Sequence, residues 1–196
     1  MTGVRRCFGE NVEVYRGYHD REWGRPVLDE RGLLEKLCLE GFQSGLSWLT
    51  ILRKRDAFRR AFVDFDAASV ARFGPADLDR LLADASIVRH RLKIEAAIAN
   101  AQATLALREA GGSLVDLVWS HRPPRRPAPR SWADVEPETP ESRALAKDLK
   151  GAGFRFVGPT TVYSTMEACG LVNDHLADCF VREEVEAEQA RVSLPL

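Results

Sequence analysis

The sequence predicts an all-α fold, and three observations carry that reading. Apolar residues recur at helical spacing in stretch after stretch, as along Leu33, Leu34, Leu37 and Cys38, or along Ile94, Ile98, Ala101 and Leu105. Capping residues and glycines punctuate those stretches. No run alternates in the manner of a half-buried strand, and no internal repeat is visible.

The elements follow in order. From Arg5 to Pro26 the chain lacks either periodicity, so it is expected to be irregular; Cys7, Tyr15, Tyr18, His19, Glu22, Trp23 and Gly24 crowd together there. Such a segment needs support other than a backbone ladder. Asp29 reads as the N-cap of a helix running through Cys38, with Glu30 in its first turn. Ser47 caps a further helix carrying Leu49, Ile51 and Leu52, whose far end bears Arg53, Lys54, Arg55, Arg59 and Arg60. That basic run is either a solvated face or a phosphate contact, the former by default. Asp66 opens a short helix that Gly74 is expected to close, and Pro75 suits the first position of the next, through Leu78, Leu81 and Leu82.

A brief break spans Asp84 to His90. The helix after it ends at Gly111–Gly112, and a short one follows from Ser113 to Trp119. His121 to Pro140 holds six prolines and, with Arg122, Arg125, Arg126 and Arg130, is basic; it cannot be helical. It is either a connector or a mobile arm near a polyanion. Helices resume over Ser142–Ala152 and from Thr160 or Thr161 through Tyr163, Met166 and Cys169 to Gly170. Residues 1–182 form the expected domain, and the acidic segment 183–196 a loose tail, frayed or loosely helical.

Composition bounds the function. The chain has 196 residues and a formal charge of −1 from 28 basic and 29 acidic side chains. That excludes a wholesale basic protein but leaves room for a local basic face. No apolar run approaches the roughly 18 residues of a membrane span. The start, Met1 to Cys7, lacks the apolar core of a signal peptide, so a cytosolic protein is expected. In that compartment four cysteines argue for metal, catalysis or burial before disulfides.

Two stretches carry chemistry. In Leu39 to Trp48 an acid, Glu40, precedes Gly41 and Gly45 and then Trp48. A carboxylate and an indole so placed can read and stack a flat, hydrogen-bonding ligand. The alternative, a helix end with a surface glutamate and a core tryptophan, stays open on these residues alone. The second is split. His175 and Cys179 stand one helical turn apart, while Cys7 and His19 lie in the unsupported N-terminal segment. Two Cys and two His make the ligand set of a closed structural zinc site, although chance spacing explains such a pair as well.

Seven strings in order settle the weighting: Tyr18-His19-Asp20, Glu22-Trp23-Gly24, Cys38-Leu39-Glu40-Gly41, Gln43 to Trp48, Arg89-His90-Arg91, Phe156-Val157-Gly158 and Ala168 to His175. With them the chain, from about Arg6 to about Cys179, resembles the 3-methyladenine DNA glycosylase I family of the helix-hairpin-helix superfamily. The resemblance implies a bacterial cytosolic repair enzyme, a monomer, which hydrolyses the N-glycosidic bond of 3-methyladenine in duplex DNA. It implies that Cys7, His19, His175 and Cys179 hold zinc, and that Glu40, Tyr18 and Trp48 line the base pocket with Tyr15 and Trp23 close by. Ser86, Ile87, Val88 and Arg89 would form the DNA-gripping hairpin, with Arg91 adding charge at the start of the next helix. Cys38 and Cys169 read better as buried small hydrophobes. The chain departs from the family in Phe8–Gly9 where a tryptophan is common two residues after the cysteine, in Phe42, and in Ser86 where a glycine is usual. A DNA-binding relative with weak or altered catalysis and a zinc-stabilised protein-interaction domain are the rival readings.

Overall fold

The computed structural model describes residues 4–193; the extreme ends, including the last residues of the expected tail, lie outside them. Every regular element among the described residues is helical, with no strand among them. Ten α-helices follow one another: α1 (Glu13–Arg21), α2 (Glu30–Gln43), α3 (Trp48–Ala61), α4 (Ala67–Val70), α5 (Pro75–Ala83), α6 (Arg91–Glu109), α7 (Leu114–Trp119), α8 (Pro140–Gly151), α9 (Pro159–Ala168) and α10 (Arg182–Ala190). None is long and apolar enough to cross a membrane.

The starts obey local chemistry. Asp29 accepts from the amide of Gly32 at 2.8 Å, Ser47 from that of Thr50 at 3.3 Å and Asp66 from that of Ser69 at 2.9 Å, so each takes one of the orphan donors of its helix. Gly74 does not close α4, which ends at Val70; it is the N-cap residue of α5, and its amide donates to Asp77.

The core is organised around α2, every residue of which is buried from Leu33 to Phe42. Such a helix must be covered all round, and α3, α6, α7 and α9 cover it. It also runs past Cys38 to Gln43, which puts Glu40 and Gly41 inside the helix. Gly41 is there for space: a β-carbon on it would stand 3.2 Å from that of Phe156, too close without a shift.

Three expectations fail locally. The supposedly irregular N-terminal segment contains α1, whose buried face is Gly17, Tyr18 and His19. That face carries no aliphatic stripe, so helical periodicity is invisible in it. His175 and Cys179 are not on a helix: the stretch between α9 and α10 is a series of turns. The tail is not loose from Arg182 to Ala190. Val185 is fully buried there, Gln189 donates to the carbonyls of Gly24 at 2.7 Å and Val172 at 3.0 Å, and Glu184 and Glu188 meet Arg25.

The proline-rich segment forms no α-helix before Pro140, as its prolines require. Arg122 donates to the Gln189 carbonyl, Arg125 pairs with Glu186, and Arg126 pairs with Glu141. Arginines so engaged belong to a fixed connector.

Candidate functional site

A cavity of about 320 Å³ opens between α1, α2, the start of α3 and α9. Tyr15 and Tyr18 reach it from α1, Trp23 from the turn that follows, Glu40 from α2 and Trp48 from the first residue of α3, so all five expected pocket residues meet here. The rings are mutually packed. Tyr18 and Trp48 have centroids 5.3 Å apart, and Phe8 lies 4.8 Å from Tyr15 and 5.1 Å from Trp23. Aromatic walls with few polar groups suit a flat, partly apolar ligand.

Glu40 is the polar feature of this cavity that sequence reasoning placed there, and it is 5% exposed. Burial raises its carboxyl to about 8, with Lys36 one turn earlier pulling the other way. Near neutral pH the group can therefore offer a donor and an acceptor, or, once ionised, a charge for a cationic ligand. Burial and the Glu40 charge also raise the phenol of Tyr18 well above its ordinary value.

Five further lining residues were missed: Phe8, Gln43, Trp132, Ser164 and Glu167. Trp132 comes from the proline-rich connector, and its indole donates to the carbonyl of Cys7 at 3.3 Å. A lone aromatic in that basic, proline-rich stretch was the available signal. Glu167 gave none, as it interrupts an otherwise ordinary helix. Burial first, then Asp174 and Glu40, raise its carboxyl well above the usual range.

Beside the pocket the four expected ligands converge. The Sγ of Cys7, an imidazole nitrogen of His19 and of His175, and the Sγ of Cys179 lie within 4.8 Å of one another, close enough to bind one metal ion. Cys179 Sγ stands 3.4 Å from His19 Nε2 and 3.4 Å from His175 Nδ1, and Cys7 Sγ stands 3.6 Å from His175 Nδ1. The opposite nitrogens are engaged: His19 Nδ1 meets Asp20 at 2.8 Å, and His175 Nε2 meets the Trp23 carbonyl at 3.0 Å. Such partners fix ring orientation and tautomer. Contact with the Cys7 thiol, and then with His175 and His19, pulls the Cys179 thiol far below its ordinary range. Proximity arises from the loop after α9 folding back on α1, and not from a shared helix face. Cys38 and Cys169 are buried elsewhere in the core.

The expected hairpin residues fill the connection between α5 and α6. Asp84 accepts from the amide of Ser86 at 2.8 Å and from its hydroxyl, while Lys54 of α3 donates to the carbonyls of Ala85 and Ser86 at 3.1 and 3.0 Å. Ile87 is buried and Val88 half-buried, so these two anchor the turn. Arg89 is exposed, and Arg91 pairs with Glu95 at 3.4 Å. Part of the basic face of α3 is also spoken for: Arg55 grips Glu22, and Arg59 grips Glu35.

Known proteins place this arrangement. A family model described as methyladenine glycosylase matches residues 8–183. The DNA-3-methyladenine glycosylase 1 of Escherichia coli K12 is 48% identical over 169 residues, covering 85% of this chain and 90% of that protein. The DNA-3-methyladenine glycosylase of Haemophilus influenzae is 44% identical over the same length, covering 85% and 91%. A crystal structure of a tyrosine-to-phenylalanine variant of 3-methyladenine DNA glycosylase I in complex with 3-methyladenine superposes with a TM-score of 0.86, at 40% identity, over 92% of this chain and 98% of that one. A match over most of the chain at this identity leaves one conclusion: the chain belongs to the methyladenine glycosylase family.

Proposed function

We propose that this protein excises 3-methyladenine from DNA by hydrolysing its N-glycosidic bond. The observation that carries the reading is a buried carboxyl, Glu40, set among the aromatic walls of a cavity of about 320 Å³, roomy enough for a base. Methylation at N3 makes adenine cationic and weakens its glycosidic bond, because the base leaves neutral. The protein therefore needs recognition more than acid catalysis. It must take the nucleotide out of the stack and favour the lesion over adenine.

Each residue then has a task. Stacking on Trp48, with Tyr18, Tyr15 and Trp23 completing the walls, contributes about 1–3 kcal/mol per stacked base. Glu40 hydrogen-bonds the base edge and, when ionised, favours its positive charge. Ser86 to Arg89 and Arg91 grip a DNA phosphate through those amides of a helix-hairpin-helix turn that Asp84 does not already hold, with local basic charge.

The metal that fits Cys7, His19, His175 and Cys179 is zinc. Tetrahedral zinc holds sulfur at about 2.3 Å and nitrogen at about 2.0 Å, which separates adjacent S and N ligands by about 3.5 Å. The sulfur–nitrogen distances of 3.4–3.6 Å agree with that. With four protein ligands zinc supplies structure and has no open position for substrate. Its ligands tie the N-terminal segment to the loop after α9. The glycosylase domain extends through α10 and works as a monomer on bacterial DNA in the cytosol.

The test is to incubate the protein with methylated duplex DNA and identify the released bases. Free 3-methyladenine supports the reading. Tight DNA binding with no base released would replace it with a non-catalytic DNA-binding relative.

A further inference from the structure

Lys36 stands where a lysine is costly. It is 8% exposed, in the interior of the all-round-buried helix α2. Among the described residues, its Nζ and the Nε1 of Trp48 are the buried side-chain nitrogen or oxygen atoms without a hydrogen-bond partner. The nearest carboxylate, that of Glu22, is 3.7 Å away and is already gripped by Arg55. The ammonium instead lies 4.7 Å from the ring centroid of Tyr18 and 5.9 Å from that of Trp48, two walls of the base pocket. Its sequence position, four residues before Glu40, sets the two side chains on one face of α2, one turn apart. A buried cation whose carboxylate neighbour is shared with an arginine, and which lacks a hydrogen bond, is unfavourable unless the fold uses it.

We propose that Lys36 is a positioning residue of the base pocket: sealed beside Tyr18 and Trp48, its ammonium supplies the counter-charge that lets Glu40 ionise when a cationic base enters. The inference rests on the pocket reading above and deepens it. The other ionisable groups around Glu40 cannot serve. Tyr15 and Tyr18 on α1, and Glu167 and Cys169 at the end of α9, are neutral when protonated and negative on losing a proton, so none can supply a positive charge. Lys36 alone opposes the effect of burial on Glu40. The same ammonium favours the ring faces of Tyr18 and Trp48 through cation–π attraction, which holds both walls in place.

The experiment follows the Glu40 carboxyl itself, by carbon-13 NMR of the glutamate-labelled protein across pH, with E40Q assigning the signal. In K36M the Glu40 midpoint is expected to rise, by about one pH unit, the low end of what loss of an opposite charge does. K36R should restore it to within a few tenths of a unit. K36Q, one atom shorter but polar and uncharged, gives the same reading if the apolar variant does not fold. The pH profile of excision should move with the midpoint. An unchanged Glu40 midpoint in K36M or K36Q would overturn the proposal. Because the titration uses the free protein, it stands or falls separately from the release of 3-methyladenine.

Discussion

The ammonium of Lys93, in the first turn of α6, donates to the carbonyl of Phe42 in the last turn of α2 at 2.9 Å, and to that of Ser44 just beyond. One side chain thus satisfies two carbonyls at the end of the helix bearing Glu40, and ties them to α6. Burial lowers the Lys93 ammonium below its ordinary value, which marks the cost of holding it there. Lys93→Met should leave two helix-end carbonyls without their charged donor. A loss of about 1.5–3 kcal/mol is expected in urea unfolding. A wild-type midpoint and slope would show that water replaces the lysine without penalty.

Metal removal should act on the fold before the chemistry. Native mass spectrometry is expected to find one zinc per chain, and Cys179→Ala to lose it with a clear fall in Tm. His175 also holds the Trp23 carbonyl, and Trp23 lines the pocket, so a smaller effect on base binding should follow. Activity per folded molecule should fall less than stability. A metal-free protein of full stability would remove the zinc assignment.

The hairpin prediction separates DNA grip from base recognition. Arg89 is exposed and without an acidic partner among the described residues, whereas Arg91 is paired with Glu95. Arg89→Ala should therefore weaken DNA binding for all sequences alike and flatten the salt dependence by about one unit of slope. Binding of free 3-methyladenine should not change. An unaltered salt slope would take the hairpin out of the DNA interface.

Legibility tracked the chemistry of each buried face. α2 and α6 could be read because their inward residues are aliphatic at helical spacing, and Asp29, Ser47 and Asp66 could be read because capping is a local event. α1 could not, since its inward face is Gly17, Tyr18 and His19. The pocket residues near the Glu40 motif were legible as a string. Trp132 and Glu167 were not: they reach the cavity by long-range packing, which leaves no mark on sequence spacing. The four residues that cluster closely enough to bind a metal were legible as a set although the helix expected for His175 and Cys179 was wrong, because donor type constrains such a site more than backbone form does.

The raised Glu40 carboxyl carries a stability cost with a definite sign. In the unfolded chain glutamate titrates at about 4.3, and in the folded pocket this one titrates at about 8. Between those values the folded state holds one more proton, so stability falls as pH rises through the window. Glu40→Gln removes that penalty. The variant should match the wild type below about pH 4 and exceed it at pH 8, by an amount on the order of a few kcal/mol. Equal pH dependence of urea unfolding in the two proteins would mean that the carboxyl is not desolvated.

The same substitution separates reading the base from driving the chemistry. Glutamine keeps the shape and part of the hydrogen bonding of a neutral carboxyl, but it cannot ionise. If Glu40 chiefly recognises the lesion, affinity for 3-methyladenine should drop by the worth of one charge-assisted hydrogen bond, about 1.5–3 kcal/mol. Excision should fall by a similar factor, since ground and transition states share the contact. Wild-type excision should also strengthen as pH rises toward 8, where the carboxylate becomes available to the cationic nucleotide, whereas Glu40→Gln should be flat over that range. If Glu40 instead positions or deprotonates water, ligand affinity would survive and the chemical step alone would slow, by about 10²–10⁴-fold. Ligand titration and single-turnover excision in one preparation decide the matter. The weak glycosidic bond of a cationic purine favours the first outcome, because so good a leaving group asks little of a general base; intact affinity with collapsed turnover would reverse that assignment.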